Sequence, residues 1–160
     1  MPTPAIPVWR PSCARLVCLD GFVPYARGSQ PPPASALIWP AKDPGDILDY
    51  QLDIDAAVAG NEGDSIATLD VGISPNAAGD LQLVRSSADG LSAVLWLEAG
   101  QAGTTYSVTV AIGTANGRTI QRTVLLPVVA LASIVSPPDA LQIAGGAPIV
   151  DQNGNPVLTF

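Results

Sequence analysis

From Leu48 to Asp55 apolar and polar residues alternate without a break, with Leu48, Tyr50, Leu52 and Ile54 on one side and Asp49, Gln51, Asp53 and Asp55 on the other. A period of two is that of a strand with one face in a core and one in solvent. The same period returns in Leu69, Val71 and Ile73, where Ile66 falls out of phase and predicts a bulge. It returns again in LQLVR (81–85), LSAVLWLE (91–98), TTYSVTVAI (104–112) and TIQRTVLLPVV (119–129). Turn residues separate the runs: NEGD at 61–64, PNAAGD at 75–80, Asp89-Gly90, AGQAG at 99–103 and Ala115-Asn116-Gly117-Arg118. Pro127 places the last run at a sheet edge or a strand end. With Leu37-Ile38-Trp39 as a short first strand, the pattern predicts an all-β, immunoglobulin- or fibronectin-III-like β-sandwich of about seven strands, with no helix.

Two side chains stand out against this pattern. Tyr106 follows the glycine-bearing corner 99–103 and opens a run of alternating valines. That is the setting of a tyrosine corner, in which the phenol oxygen bonds back to the corner's backbone. Trp96 lies between Leu95 and Leu97, which take the core-facing phase, so Trp96 is expected to point outward, as an interface anchor or a ligand platform. The aspartates of the 48–55 strand are read as a solvated outer face that discourages edge pairing, since residues in a row on one strand do not converge on a cation.

The flanks have a different grammar. Residues 1–36 hold eight prolines and no amphipathic period, which predicts an extended, partly polyproline arm. Residues 37–130 form the sandwich, and SPPD at 136–139 breaks continuity beyond it. In the segment 131–160, Ile149 and Val150 are expected to pair with Val157 and Leu158 across Asn153-Gly154, with Phe160 at the end. A lone hairpin is marginal in water, so these apolar residues are expected to dock on a partner.

Composition narrows the chemistry. The chain has 160 residues, 48% of them hydrophobic and only 13% charged, a sparsely charged surface that neighbours in an assembly would cover. Net charge is −7 and histidine is absent, which argues against phosphate-reading nucleic-acid contacts and removes the commonest general base and zinc ligand. Arg10, Arg15 and Arg27 against Asp20 make residues 1–36 net +2, whereas residues 37–130 are net −7, a polarity suited to docking on another copy. Cys13 and Cys18 are read as buried free thiols, too few for a zinc site. Lys42, the lone lysine, is hemmed by prolines and acids and is expected to form a surface ion pair. No run reaches the roughly 20 apolar residues of a membrane span, and the proline-broken start is not a secretory signal. No catalytic, cofactor or metal residue emerges.

Beyond these generic features, specific residues carry a family likeness. Trp39, Pro40, Lys42, Asp43 and Pro44 precede Leu48-Asp49-Tyr50; Asp64 and Ile66 follow; then come Gly100, Ala102, Gly103, Thr104, Thr105 and Tyr106, and last Gly117-Arg118-Thr119. This pattern, over residues 38–128, resembles the small phage proteins known as fibre–tail adaptors. The loop before Asp64 is longer here by Asn61-Glu62. The resemblance implies a structural virion protein at the tail, assembled in the host cytoplasm, with tail tube or nozzle proteins, tail-fibre proteins and further copies of itself as partners. It implies no catalysis, cofactor, nucleic acid or membrane. The residues expected to carry structure or interface are Trp39, Lys42, Asp43, Trp96, Tyr106, Arg118, Ile149, Val157 and Phe160. Two other functions fit the same pattern: a receptor- or carbohydrate-binding module using exposed aromatics, and a head-decoration protein of the same particle.

Overall fold

The alternation over 48–55 becomes a strand whose side chains divide between two layers. A computed structural model describes residues 12–21, 24–30, 33–60, 62–132, 141, 149–152 and 157. Among the described residues eight strands are formed: β1 (Leu16–Cys18), β2 (Leu37–Ile38), β3 (Leu48–Asp53), β4 (Ile66–Ser74), β5 (Leu81–Asp89), β6 (Ser92–Ala99), β7 (Thr104–Thr114) and β8 (Thr119–Val128). They build two four-stranded sheets, β1-β3-β6-β5 and β2-β8-β7-β4, with one core between them. Helical structure among the described residues is limited to two single 3-10 turns, Cys13–Arg15 and Ala56–Val58. The all-β sandwich expected from the period of two is the observed fold.

Each sheet turns its apolar phase inward. Tyr50, Leu52 and Ile54 meet Leu95 and Leu97 from one layer, and Tyr106, Val108, Val110 and Ile112 meet Val124, Leu126 and Val128 from the other, all of them fully buried. A one-residue slip of β7 would expose its four buried side chains at about 1.5–3 kcal/mol each, so burial alone fixes its register. Across β3 and β6 large residues face small or medium ones, Leu52 opposite Ala93 and Tyr50 opposite Leu95, which fills the layer. The bulge expected at Ile66 is present as a register shift between Ile66 and Thr68. The tight turns at 89–92 and 114–119 form as expected, with Gly90 and Gly117 at positive φ.

Four features depart from the sequence pattern. First, β5 runs on to Asp89 instead of ending at Arg85. An edge strand needs backbone pairing on one side only, so the polar Ser86-Ser87 continues it without an apolar phase; a register shift between Leu83 and Arg85 leaves Val84 half exposed. Second, part of the expected N-terminal arm belongs to the sheet. β1 pairs in parallel with β3 (Leu16 with Gln51, Cys18 with Asp53), and Leu19 is buried in the core. Third, β2 pairs in parallel with β8, and Lys42 continues that contact as a bridge to Val128. These two parallel pairs join otherwise antiparallel sheets, and the architecture is a two-sheet all-β sandwich. Fourth, Cys13 and Cys18 are free but exposed rather than buried, because the arm presents its backbone and Leu19 to the sandwich and turns its thiols out.

Candidate functional site

Four aspartates, each accepting backbone N–H groups, hold the points where the chain leaves or re-enters the sandwich. The first is Asp43. Its Oδ1 accepts from Gly45 N–H at 2.9 Å, and its Oδ2 accepts from Leu131 N–H at 2.8 Å and Ala132 N–H at 2.9 Å. These backbone donors hold its carboxyl below the usual carboxylate range. Asp43 is brought there by the extended run after β2: Trp39 N–H donates to the Leu125 carbonyl, Lys42 N–H to that of Pro127, and Val129 N–H returns to the Lys42 carbonyl. The root of the C-terminal segment is thereby fixed beside the 40–46 loop.

Lys42 corrects the surface expectation. It is fully buried, and its Nζ donates to the carbonyls of Asp43 and Ala99, both at 2.7 Å, rather than to a carboxylate. Parallel pairing with β8 aims this side chain across the end of the sandwich, where the long aliphatic stem is covered and only carbonyls are in reach. Burial lowers the Lys42 pKa from its ordinary value, against the opposing pull of Asp46, Asp43 and Glu98. Ala99 has φ of 59°, a left-handed conformation that costs a non-glycine residue about 1–2 kcal/mol, and the ammonium holds its carbonyl. Gly100 follows at φ of 100°; a Cβ there would lie 2.9 Å from a Val128 methyl. The corner is therefore closed to larger residues.

The second aspartate, Asp49, corrects the solvated-face reading for the first half of β3, while Asp53 stays partly exposed and Asp55 exposed. Only 5% of Asp49 and 7% of Gln51 is exposed, because the N-terminal segment lies over this face of β3. Arg15 pairs with the Asp49 carboxylate and donates from Nε to its backbone carbonyl at 2.6 Å, Ser12 N–H donates to Oδ2 at 2.8 Å, and Gln51 Nε2 donates to the Ser12 carbonyl at 2.9 Å. Burial raises the Asp49 pKa, but the Ser12 N–H and the Arg15 guanidinium together more than offset it, and the net shift is downward. Val94, on the same outward phase, is also fully buried. Arg15, one of the arm's three arginines, thus meets an acidic partner within the chain.

The remaining two tie the turns. Asp64 accepts from Ser65 N–H, Asn116 N–H and Arg118 Nη1 (2.8 Å), so Arg118 clamps the β7–β8 turn onto the loop entering β4. Those bonds outweigh burial and lower the Asp64 pKa. At the opposite corner the Tyr106 hydroxyl accepts from Gln101 N–H at 2.9 Å and donates to Asp80 Oδ1 at 2.8 Å, the arrangement expected of a tyrosine corner with a carboxylate added. Burial raises the Tyr106 pKa, and the Ala77 N–H and the Tyr106 hydroxyl lower that of Asp80.

The aromatic candidates separate. Trp39 is 1% exposed, its ring 5.3 Å from that of Tyr50 and its Nε1 donating to the Gln51 carbonyl, so it is core. Burial pushes the Tyr50 phenol up to about 12. Trp96 points outward and is half buried, with the Arg85 guanidinium 4.4 Å above its ring. Ile149 and Val157 are exposed, while Phe160 and the Asn153-Gly154 turn lie outside the described residues. Asp80, Arg15 and Ser12 were not singled out in the sequence; the aspartate closing PNAAGD was the one available signal. Among the described residues no three His, Cys, Asp or Glu side chains gather to hold a metal.

Fold and ties together define a β-sandwich module whose motif residues serve the frame and anchor the flanking segments. The chain belongs to the podophage GP4 fiber-tail adaptor protein gp77 family, whose family model matches residues 42–127. That family is one of phage fibre–tail adaptors. No curated protein matches the chain. Lys42, Asp43, Asp49, Tyr50, Asp64, Tyr106 and Arg118 fall inside the matched span, and Trp39 just before it.

Proposed function

We propose that this chain joins the tail of a podophage to its tail fibres, with the sandwich as a rigid spacer and the segment beyond residue 132 as a docking element. Family membership carries the reading. The Asp43 clasp supports it, because a carboxylate binding two consecutive N–H groups at the exit of β8 sets where the C-terminal segment starts. Several copies would stand around the tail tube or nozzle, assembled in the host cytoplasm, with no catalytic step and no contact with nucleic acid or membrane. The sugar-binding alternative loses support: Trp39 is in the core and one face of Trp96 is covered by Arg85.

Deletion of residues 141–160 tests this. The truncated protein should keep the parent's melting temperature, and phage complemented with it should carry tails without fibres. Fully fibred particles would refute the docking role, and assembly of the protein onto heads instead of tails would favour the decoration reading.

A further inference from the structure

Each sheet ends in one short strand and one long strand. β1 and β2 have three and two residues, whereas β4 and β5 have nine each. A long edge presents a row of unpaired N–H and C=O groups, which proteins protect with charge, proline or a covering segment. β4 carries Asp70 at its middle and a bulge near its start. β5 is protected less. It is exposed at every residue from Arg85 to Asp89, and its centre, Ser86-Ser87-Ala88, holds neither charge nor proline. Among the described residues no strand pairs with its outer edge. The two charges stand at the ends of this stretch, and among the described residues neither belongs to an ion pair.

The spacing of those charges is self-complementary. Arg85, Ser87 and Asp89 stand opposite Trp96, Val94 and Ser92 of β6, so all three share the outward face of the sheet. In an antiparallel pair, residues directly opposite each other lie on one face, where opposite charges attract and like charges repel. A twofold axis through Ser87 sets Arg85 opposite Asp89 of the second copy on both sides of the axis, with Ser86 opposite Ala88. Moving the axis to Arg85 or to Asp89 brings like charges together instead. On β4 the same operation about the strand centre sets Asp70 against itself, and β4 has no basic residue to receive it elsewhere. We propose that two copies of this chain pair edge to edge through β5, antiparallel and centred on Ser87, joining two four-stranded sheets into one of eight strands. The Trp96 ring, 4.4 Å from the Arg85 guanidinium, backs the bridging charge. A twofold contact closes on itself and does not grow into a fibre. Five paired residues a side fall below the standard interface size, so the pair is weak in dilute solution and favoured where copies are already held side by side. The pairing stands without the adaptor reading.

The test uses the full chain carrying Cys13→Ser and Cys18→Ser, which removes the two exposed thiols. Ser87→Cys in this background sets two thiols across the axis, where opposed Cα atoms lie about 4.5–5.5 Å apart, within disulfide reach. Mild oxidation at about 0.1–1 mM protein, a range suited to a small contact, should give a covalent dimer. Gln82→Cys, exposed on the same strand but far from the axis, should stay monomeric. Adding Arg85→Asp or Asp89→Arg to Ser87→Cys should slow cross-linking by about tenfold or more, and adding both should restore it to within about threefold. No dimer at position 87, or equal cross-linking at 82 and 87, overturns the pairing. Single reversals without effect, or a double reversal that fails to restore the rate, overturn its register and the proposal with it. Melting temperatures check that each variant is folded; if a charge reversal unfolds the sandwich, the comparison of positions 82 and 87 still decides.

Discussion

The two flanks of the sandwich share a proline-rich grammar and reach opposite outcomes. Residues 12–20 are laid onto the frame along their length: a 3-10 turn, a parallel strand, a buried leucine and an Arg15–Asp49 pair, all against β3. The C-terminal flank is captured at its root, where Asp43 takes the N–H groups of Leu131 and Ala132. Beyond it, Leu131 and the described apolar residues of 141–157 remain 37–63% exposed. The first flank is held because β3 has an open edge and a partner carboxylate opposite Arg15, so that it gains backbone bonds and apolar burial together.

Acidification should have the largest effect, because it acts on both flanks. Asp43, Asp49, Asp64 and Asp80 all have folded pKa values lowered from 3.8. A depressed carboxylate gives stability that is complete above its unfolded pKa and is lost as pH falls through the folded value. Stability in urea should therefore be level with respect to these groups above about pH 5 and fall steeply below pH 3.8. A flat profile down to pH 2 would contradict the role of the four clasps.

Asp49→Ala comes next. It removes a mostly buried ion-pair partner and leaves the Arg15 Nη2 and the Ser12 N–H without their acceptor, while the Arg15 Nε bond to the residue 49 carbonyl remains, a loss of about 2–3 kcal/mol by urea melts. The first flank should become susceptible to protease between residues 12 and 20 in the isolated protein. Continued resistance would mean that β1 pairing alone secures it. Tyr106→Phe, acting on the frame and on neither flank, should cost about 1–2 kcal/mol with no change in proteolysis of either end. Asp43→Asn should have the smallest global effect: nearly the parent's melting temperature, but faster hydrogen exchange at the amides of Leu131 and Ala132. If Asp43→Asn unfolds the domain, the clasp belongs to the frame rather than to the flank.

These outcomes bear on how the sequence reads. Alternation determined the two-layer sandwich, the inward phases of β3, β6 and β7, the bulge at Ile66 and the tight turns, because each depends on neighbours within a few residues and on burial of one face. The tyrosine corner was legible for the same reason: the phenol reaches a backbone only five residues upstream. The likeness to the adaptor family also lay in the residues, though not what those residues do. Lys42 among prolines and acids looks like a surface ion pair in one dimension. Its burial follows from parallel pairing between residues more than eighty positions apart, which no local pattern encodes. Asp49 and Gln51 carry the alternation of a solvated face, and only the folded chain brings residues 12–15 over it. The sequence by itself determined which residues of each strand turn toward the core, since water rejects apolar surface wherever it stands. Tertiary structure alone decided which polar residues would leave water, since a buried carboxylate or ammonium is stable only where distant donors or acceptors arrive to meet it.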